Sequence, residues 1–228
     1  MKKVSLEFSK NATSYGKHNS IQIQVAKKLL SYVKTQPQNI LDLGCGDGAI
    51  CKNIPWQYQS FLGVDFAQGM LDLHPKSSKI KTLLGDFNKP ALFQTLQTKQ
   101  FDYIFSASAL QWAQDLEKVF LELHNFQTPL ALAIFTSNTF KTLHQVANIT
   151  SPLRDIQTIL ELQQKYLNLK SEVVQYRLEF ESVREMFRYI KESGVSGSRN
   201  LLNYKQTKEL MQNYPLTYLE FEVVFLYS

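Results

Sequence analysis

Cysteine and arginine are scarce in this 228-residue chain, and its apolar runs are short. The two cysteines, Cys45 and Cys51, are too few and too closely spaced for a disulfide framework or a zinc site, which suits a reducing compartment. No apolar run approaches the roughly 18 residues of a membrane span, and the opening MKKVSLEFSK has no signal-peptide core. We therefore expect a soluble cytoplasmic protein without membrane association.

Positive charge is present without forming a block. The net charge of +5 is spread thinly, and no cluster of Lys or Arg is typical of a nucleic-acid surface, so no nucleic-acid partner is expected. Because a guanidinium grips carboxylates and phosphates with a planar fork, the placement of arginine hints at where an anion is recognised. The alternative is that the few arginines of a lysine-rich sequence are unevenly placed by chance. All five arginines lie in the last third of the chain: Arg154, Arg177, Arg184, Arg188 and Arg199.

The first 140 residues alternate between short apolar runs and amphipathic segments. In SIQIQVAKKLLSYVK the apolar positions Ile21, Val25, Leu29 and Val33 step by four, which predicts a helix that buries one stripe. Strands separated by helices are typical of βαβ units and a parallel sheet. Five strands are predicted there: 39–43, 61–65, 80–86, 101–108 and 130–136.

Later segments predict helices over 139–147 and 151–167, with Ser151 and Pro152 as N-cap and first-turn residues. A strand is predicted over 172–180, and then a helix with a capping box at Ser182 and Glu185 and a stop at Gly194. Residues 214–228 are predicted to form the last β segment.

The predicted fold is α/β and Rossmann-like: a seven-stranded, mostly parallel sheet with helices on both faces and a helical lid insertion after strand five. The single domain divides into an N-terminal arm and helix (1–37), a donor-binding core (38–138), an insertion or lid region including strand six (139–200), and a C-terminal helix and strand (201–228).

The glycine turn in NILDLGCGDGAI is the strongest functional signal. Gly44, Gly46 and Ala49 match the G-x-G-x-x-G/A pattern of nicotinamide and flavin domains, with Asp65 about twenty residues on, so the glycines alone leave a dinucleotide open. Asp42, at the end of strand one, is expected to face the cleft, where its carboxylate would repel a pyrophosphate and accept hydrogen bonds from an ammonium group. S-adenosylmethionine carries an ammonium and no phosphate, which favours this methyl donor.

Two further acids end successive strands. Asp65 closes FLGVD, where it can accept both ribose hydroxyls, and Asp86 closes LLGDF, where it can accept from the adenine amino group while Phe66 or Phe87 packs on the ring. A single strand-end Asp caps the next helix about as often, but three in succession favour a donor site. Cys45 is interpreted as a small turn residue rather than a nucleophile. The predicted donor-binding set is Asp42, Gly44, Cys45, Gly46, Asp65, Phe66, Asp86, Phe87 and Ser106, with no metal.

The motifs LDLGCGDG, VDFAQGML and GDF resemble those of class I S-adenosylmethionine-dependent methyltransferases. Outside them, the chain is similar to the malonyl-acyl-carrier-protein O-methyltransferases of biotin synthesis. The similarity is carried by FSKNATSYGKHNSIQ, SASALQWAQDLEKVFLEL, IFTSNTFKTLHQV, SVREMFRYIKESGVSGSRN and YPLTYLEF. It departs from that family at NFQTP before strand five, at Gly194–Val195 in the lid, and in a shorter segment after residue 150.

The resemblance implies methyl transfer to the free carboxylate of a malonyl thioester, carried by acyl carrier protein or coenzyme A. Tyr15 would cover the donor, Trp112 would wall the cleft, and Arg199 or Arg184 would bind the acceptor carboxylate. The alternatives are ordinary packing for Tyr15 and Trp112 and a solvated helix position for Arg184. His144 is expected to pack or cap within its helix, with a role at the acyl thioester as the alternative. A monomer is expected. Other carboxyl or quinone-precursor methyltransferases, and a non-catalytic binding or assembly protein, are the competing functions.

Overall fold

Seven strands form one sheet in the computed structural model, which describes residues 19–193 and 204–228. Their order is β3-β2-β1-β4-β5-β7-β6. Strands β1 to β5 are parallel to one another, and β7 runs antiparallel to both β5 and β6. The strands are β1 Asn39–Leu43, β2 Ser60–Asp65, β3 Ile80–Leu84, β4 Tyr103–Ala107, β5 Leu130–Phe135, β6 Lys170–Glu179 and β7 Tyr218–Tyr227. The predicted mostly parallel, seven-stranded α/β sheet is confirmed.

Helices flank both faces of this sheet. Ile21 of α1, Met186 of α8 and Leu210 of α9 belong to one buried cluster, whereas Phe120 of α5 and Ile159 of α7 belong to a second cluster on the other face. The helices are α1 Ser20–Ser31, α2 Ala49–Asn53, α3 Gln68–Leu73, α4 Pro90–Leu96, α5 Leu116–Asn125, α6 Lys141–Val146, α7 Ile156–Tyr166, α8 Val183–Ser193 and α9 Tyr204–Asn213, and a 3₁₀ turn spans Leu110–Trp112.

The start of α7 differs from the prediction. Asp155 is its N-cap, since its carboxylate accepts hydrogen bonds from the Thr158 amide and hydroxyl, each at 2.8 Å. Ser151 instead forms a local turn in which its hydroxyl accepts from the Leu153 amide. Aspartate satisfies the free amides of a first turn as well as serine does, and with a full negative charge.

The capping box at the start of α8 is present in part. The Ser182 hydroxyl accepts from the Glu185 amide at 3.2 Å, as predicted, while the Glu185 carboxylate accepts from the amide of Glu181, one residue before the cap. The predicted stop at Gly194 lies outside the described residues.

A lid after strand five is not confirmed. Helix α7 packs in the outer layer, where Lys165 and Tyr166 both bond to the Glu117 carboxylate on α5. Strand β6 joins the main sheet along its full length, from Lys170 opposite Tyr227 to Glu179 opposite Tyr218. Residues 194–203 lie outside the described part of the chain, so the four domain sections stay a prediction. Within residues 19–193 and 204–228, no helix is both long and apolar enough to span a bilayer.

Strand order reverses between β1 and β4, which opens a crevice at their carboxyl ends. A buried hydroxyl closes the pair just below this crevice: Ser106 on β4 is fully buried, and its Oγ donates to the Leu43 carbonyl of β1 at 2.6 Å. This bond fixes the two strands at the edge where the chain leaves β1 for the glycine turn.

Replacing Ser106 with alanine should lower the free energy of unfolding by about 1–2 kcal/mol, because the Leu43 carbonyl loses a buried donor. Urea unfolding followed by circular dichroism measures this. Ser171→Ala, at an exposed position of β6, is the matched control and should change stability by less than about 0.5 kcal/mol. Equal effects of the two substitutions would show that the Ser106 bond does not stabilise the strand pair.

Candidate functional site

A cleft opens at the carboxyl ends of β1, β2 and β4. Its atom-free volume is about 640 Å³, part of it open to solvent. Side chains and backbone from four segments and from helix α1 line it. They are Gln22; Gly44, Cys45, Gly46, Asp47 and Ala49; Asp65, Phe66 and Met70; Phe87; and Ala107, Ser108, Ala109 and Trp112.

The glycine turn is shaped by two different requirements. Gly44 has φ +79°, and a Cβ there would lie 2.2 Å from the Cβ of Ala109, so the loops after β1 and β4 meet only because Gly44 has no side chain. Gly46 has φ +54°, and a Cβ there would meet no described atom within 4 Å. Gly44 is therefore needed for close packing of the two loops, while the space beside Gly46 is open.

The amides of this turn are largely used within the protein. Gly44 and Cys45 donate to the Val64 carbonyl at 2.7 and 2.9 Å, Gly46 donates to Asp65 Oδ2 at 2.9 Å, and Gly48 donates to the Cys45 carbonyl at 2.9 Å. The following helix α2 has only five residues. A dinucleotide site presents such amides to a pyrophosphate. This turn therefore does not form a phosphate cradle of that kind.

Asp42 lies beneath the cleft rather than in its lining, contrary to the expected cleft-facing position. Its side chain is 1% exposed, and its Oδ1 is buried without a hydrogen-bond partner among the described residues. Burial, followed by the negative charge of Asp65, raises the pKa of Asp42 well above its ordinary value. An unpaired buried carboxylate is costly and is relieved by a cation or a donor brought close to it.

Asp65 lines the cleft and also holds the turn. Its Oδ2 accepts from the Gly46 amide and its Oδ1 accepts from the Ala67 amide, at 2.9 and 2.8 Å. Burial raises the pKa of Asp65, although these two amide bonds lower it. Asp65 does not cap helix α3, whose N-cap is Ala67 without a side-chain capping bond, and further lone pairs of the Asp65 carboxylate remain for ligand hydroxyls.

Asp86 is half-buried and lies outside the cleft lining, where its Oδ1 accepts from the Asn88 amide and from Asn88 Nδ2, each at 2.9 Å. Phe66 and Phe87, its aromatic neighbours in the predicted set, do line the cleft. The two aromatic residues therefore border the cleft, whereas Asp86 does not.

The prediction that Ser106 contacts the donor is corrected by the structure. Its hydroxyl is fully buried and donates to the Leu43 carbonyl inside the sheet. Ser108, two residues further on, lines the cleft with a buried Oγ that has no partner among the described residues. Ser108 and Gln22 were both missed from the sequence. Gln22 Oε1 is likewise buried without a described partner, and its signal was a polar residue next to the buried stripe of α1.

Cys45 lines the cleft with its thiol buried. Burial, and then the charges of Asp42 and Asp65, raise the pKa of Cys45 well above its ordinary value, so the thiol stays protonated and is a poor nucleophile. The fold brings a histidine near it: a Cβ on Gly63 would lie 2.9 Å from Cys45 Sγ and 3.0 Å from His74 Nε2. His74 was not predicted as a neighbour of Cys45 because the two residues are far apart in the sequence.

The remaining predicted residues are scattered. Trp112 lines the cleft from the 3₁₀ turn after β4. Arg184 is exposed on α8 and does not line the cleft, which matches the solvated alternative. His144 is half-buried on α6, and burial lowers its pKa. Tyr15 and Arg199 lie outside the described residues.

The described residues contain no group of three or more His, Cys, Asp or Glu side chains suited to a metal. The expected absence of a metal stays a prediction.

Comparison with known proteins agrees with this geometry. The family described as "Methyltransferase domain" matches residues 41–135, from β1 to the end of β5. A Malonyl-[acyl-carrier protein] O-methyltransferase of Legionella pneumophila is 30% identical over 152 residues, covering 61% of this chain and 52% of that protein. One named Malonyl-[acyl-carrier protein] O-methyltransferase 2, of Ilyobacter polytropus, is 27% identical over 225 residues, covering 90% of this chain and 83% of that protein.

Solved structures share the fold at low identity. A putative methyltransferase of Bacillus halodurans aligns with a TM-score of 0.64 at 9% identity, covering 89% of this chain and 96% of that one. The YcgJ protein of Bacillus subtilis aligns with a TM-score of 0.63 at 11% identity, covering 89% and 97%. The chain spans about half the length of the Legionella relative but most of the Ilyobacter one. Residues 41–135 therefore match a methyltransferase domain, and the chain is similar over most of its length to a malonyl-[acyl-carrier protein] O-methyltransferase.

Proposed function

We propose that this protein transfers a methyl group from S-adenosylmethionine to the free carboxylate of a malonyl thioester, in the cytoplasm, giving the methyl ester used at the start of biotin synthesis. The thioester is carried by acyl carrier protein or by coenzyme A. The observation that carries the donor assignment is the pair of buried carboxylates, Asp42 and Asp65, beside a glycine turn whose amides are already bonded within the protein.

The site suits a cationic ligand without phosphate. Asp42 Oδ1 lacks a described partner and Asp65 borders the cleft, so both favour a group that brings positive charge or hydroxyl donors. Phe66, Phe87 and Trp112 offer faces for a purine ring and for cation–π attraction to a sulfonium. When bound there, the donor supplies a methyl group on a positively charged sulfur.

The proposed reaction places light demands on acid–base chemistry. A carboxylate with a pKa of roughly 4 is already ionised at neutral pH, so no general base is needed. Among the described residues, none that lines the cleft is a histidine. The protein's task is to align the reacting atoms and to keep water away from the carboxylate, and the buried walls formed by Phe87, Ala109 and Cys45 suit that task.

The acceptor assignment rests on the names of the relatives and on the sequence segments that resemble that family. A free carboxylate distinguishes malonyl from acetyl groups, and a bidentate arginine recognises it best, because a missing carboxylate leaves a desolvated cation unpaired. Arg199 is the first candidate for that role. Arg184, exposed on α8, is the second.

A methyl-transfer assay tests this function directly. The purified protein should methylate malonyl-carrier protein or malonyl-coenzyme A and leave the acetyl thioester of the same carrier unmodified, as read by mass spectrometry of the acyl group. Arg199→Ala should reduce kcat/KM for the malonyl thioester roughly 30-fold or more, because a buried charge-assisted pair is lost, while S-adenosylhomocysteine still binds.

Arg184→Ala is the matched variant and should have the smaller effect, since this side chain is exposed. Transfer to free dicarboxylic acids or to a quinone precursor, with none to malonyl thioesters, would replace the proposed acceptor. Unchanged kcat/KM in Arg199→Ala would remove that residue from the recognition role.

Gly46→Ala should weaken S-adenosylhomocysteine binding about tenfold or more. Its Cβ would enter space that the protein leaves empty, and the positive φ adds about 1 kcal/mol of strain. Gly44→Ala, which collides with Ala109, should instead lower the melting temperature of the ligand-free protein. Calorimetric titration and thermal denaturation separate the two effects. Parent-like affinity of Gly46→Ala would mean that the donor does not pass this glycine.

Donor affinity should fall as the pH is lowered, at pH values above the ordinary aspartate pKa of about 4. The pKa of Asp42 is raised in the ligand-free protein, so lowering the pH converts it to the neutral form, whereas a cationic donor favours the ionised form. Binding therefore releases protons, and affinity is lost as the pH falls through the pKa of the free protein. Asp42→Asn should bind S-adenosylhomocysteine more weakly, with a shallower pH dependence, part of which remains with Asp65. An unchanged pH profile in Asp42→Asn would assign the dependence to another group.

A further inference from the structure

The loops that follow β3 and β4 are tied together by one asparagine. Asn88 donates to Asp86 Oδ1 through both its backbone amide and Nδ2, at 2.9 Å each, and its own Oδ1 accepts from the Gln114 amide at 2.7 Å. Asp86 thus orients Asn88, and Asn88 holds the peptide that follows Trp112.

The same peptide is held from its other side by an arginine. Arg154 Nη2 donates to the carbonyls of Ala113 and Gln114, at 2.6 and 3.1 Å. The backbone carbonyl of Arg154 accepts from the Ser137 amide at 2.8 Å, which ties the same residue to the loop after β5. Hydrogen bonds therefore run across the carboxyl ends of β3, β4 and β5 through Gln114.

Arg154 is suited to this place by charge and by burial. The carbonyls that it binds lie just after the 3₁₀ turn Leu110–Trp112, where a helical segment leaves acceptors unpaired and favours a cation. Arg154 is half-buried, whereas Arg177, Arg184 and Arg188 are exposed. Among the described residues, both hydrogen bonds of the Arg154 side chain are donated by Nη2 to these two carbonyls.

The turn held in this way is a wall of the cleft. Trp112 lines the cleft, and Ala109, at the start of the same loop, lines it while packing against Gly44. A shift of the segment after Trp112 would move this wall relative to the glycine turn opposite. Neither Arg154 nor Asn88 lines the cleft.

We propose that Arg154 and Asn88 are positioning residues for the donor: they clamp the Gln114 peptide and so hold the Trp112 turn in the geometry that binds S-adenosylmethionine. This inference rests on the proposed function only in taking the cleft as the donor site. It assigns a role in donor binding to two side chains that do not contact the ligand.

The test uses Arg154→Met, which keeps the length of the side chain and removes its donors, and Arg154→Lys, which restores one donor and the charge. Arg177→Met, at an exposed arginine stacked on Tyr218, is the matched control. All are made in the full-length protein in a Trp56→Phe background, so that Trp112 is the single tryptophan. Calorimetric titration with S-adenosylhomocysteine gives affinity, and acrylamide quenching of Trp112 emission reports the position of the turn.

We expect Arg154→Met to raise the dissociation constant about tenfold, consistent with the loss of charge-assisted hydrogen bonds to two carbonyls, and to increase the quenching of Trp112. Arg154→Lys should recover part of both, and Arg177→Met should match the parent. In turnover assays the KM for S-adenosylmethionine should rise while the KM for the acceptor changes little.

Parent-like affinity and quenching in Arg154→Met would overturn the proposal, as would a lysine variant no better than methionine. A loss of binding with unchanged quenching would assign Arg154 to general stability and would also overturn it. A parent protein that does not bind S-adenosylhomocysteine would overturn the proposed function instead, and the quenching measurement would still decide whether Arg154 fixes the turn.

Discussion

The attachment of the glycine turn to the end of β2 is the constraint on which the site depends. Three successive amides of the turn bond to Val64 and Asp65, so the chain leaving β1 is fixed to its neighbour before any ligand arrives. The absence of a side chain at Gly44 then lets the loop after β4 close against this turn at Ala109. The turn's own hydrogen bonds are largely satisfied within the protein, so carboxylates rather than amide donors remain for a ligand.

Much of the fold could be predicted because its strands are short, apolar and separated by helices, and the alternation alone specifies a parallel sheet. The ends of elements were harder. The helix start at Asp155 was misplaced because Ser–Pro is also a good helix opening, and only the contacts of the folded chain distinguish the two.

The candidate site could be predicted where the residue type and its position in the motif indicate a specific chemical role. A glycine-rich turn and acids at strand ends can be recognised in the sequence, and Gly46 and Asp65 do border the cleft. Contacts between segments that are distant in the chain could not be predicted from the sequence. Ser108 lies beyond the end of the strand and has a φ of +59°, whereas Ser106 lies within the strand. His74 approaches Cys45 from nearly thirty residues away in the chain. Asp42 was recognised as important, but its depth beneath the cleft depends on packing that a linear pattern does not contain.

The antiparallel strand β7 has a consequence for how this protein is made. In the order β5-β7-β6, the only described strand that pairs with β6 is β7, and β7 also covers the edge of β5. On the ribosome, β6 is therefore synthesised before the strand that will attach it to the sheet, and β5 stays an open edge during the same interval. Such an edge is a template for mispairing. The sheet becomes complete only when β7 inserts between two strands made earlier, so correct assembly depends on the segment that is translated after both.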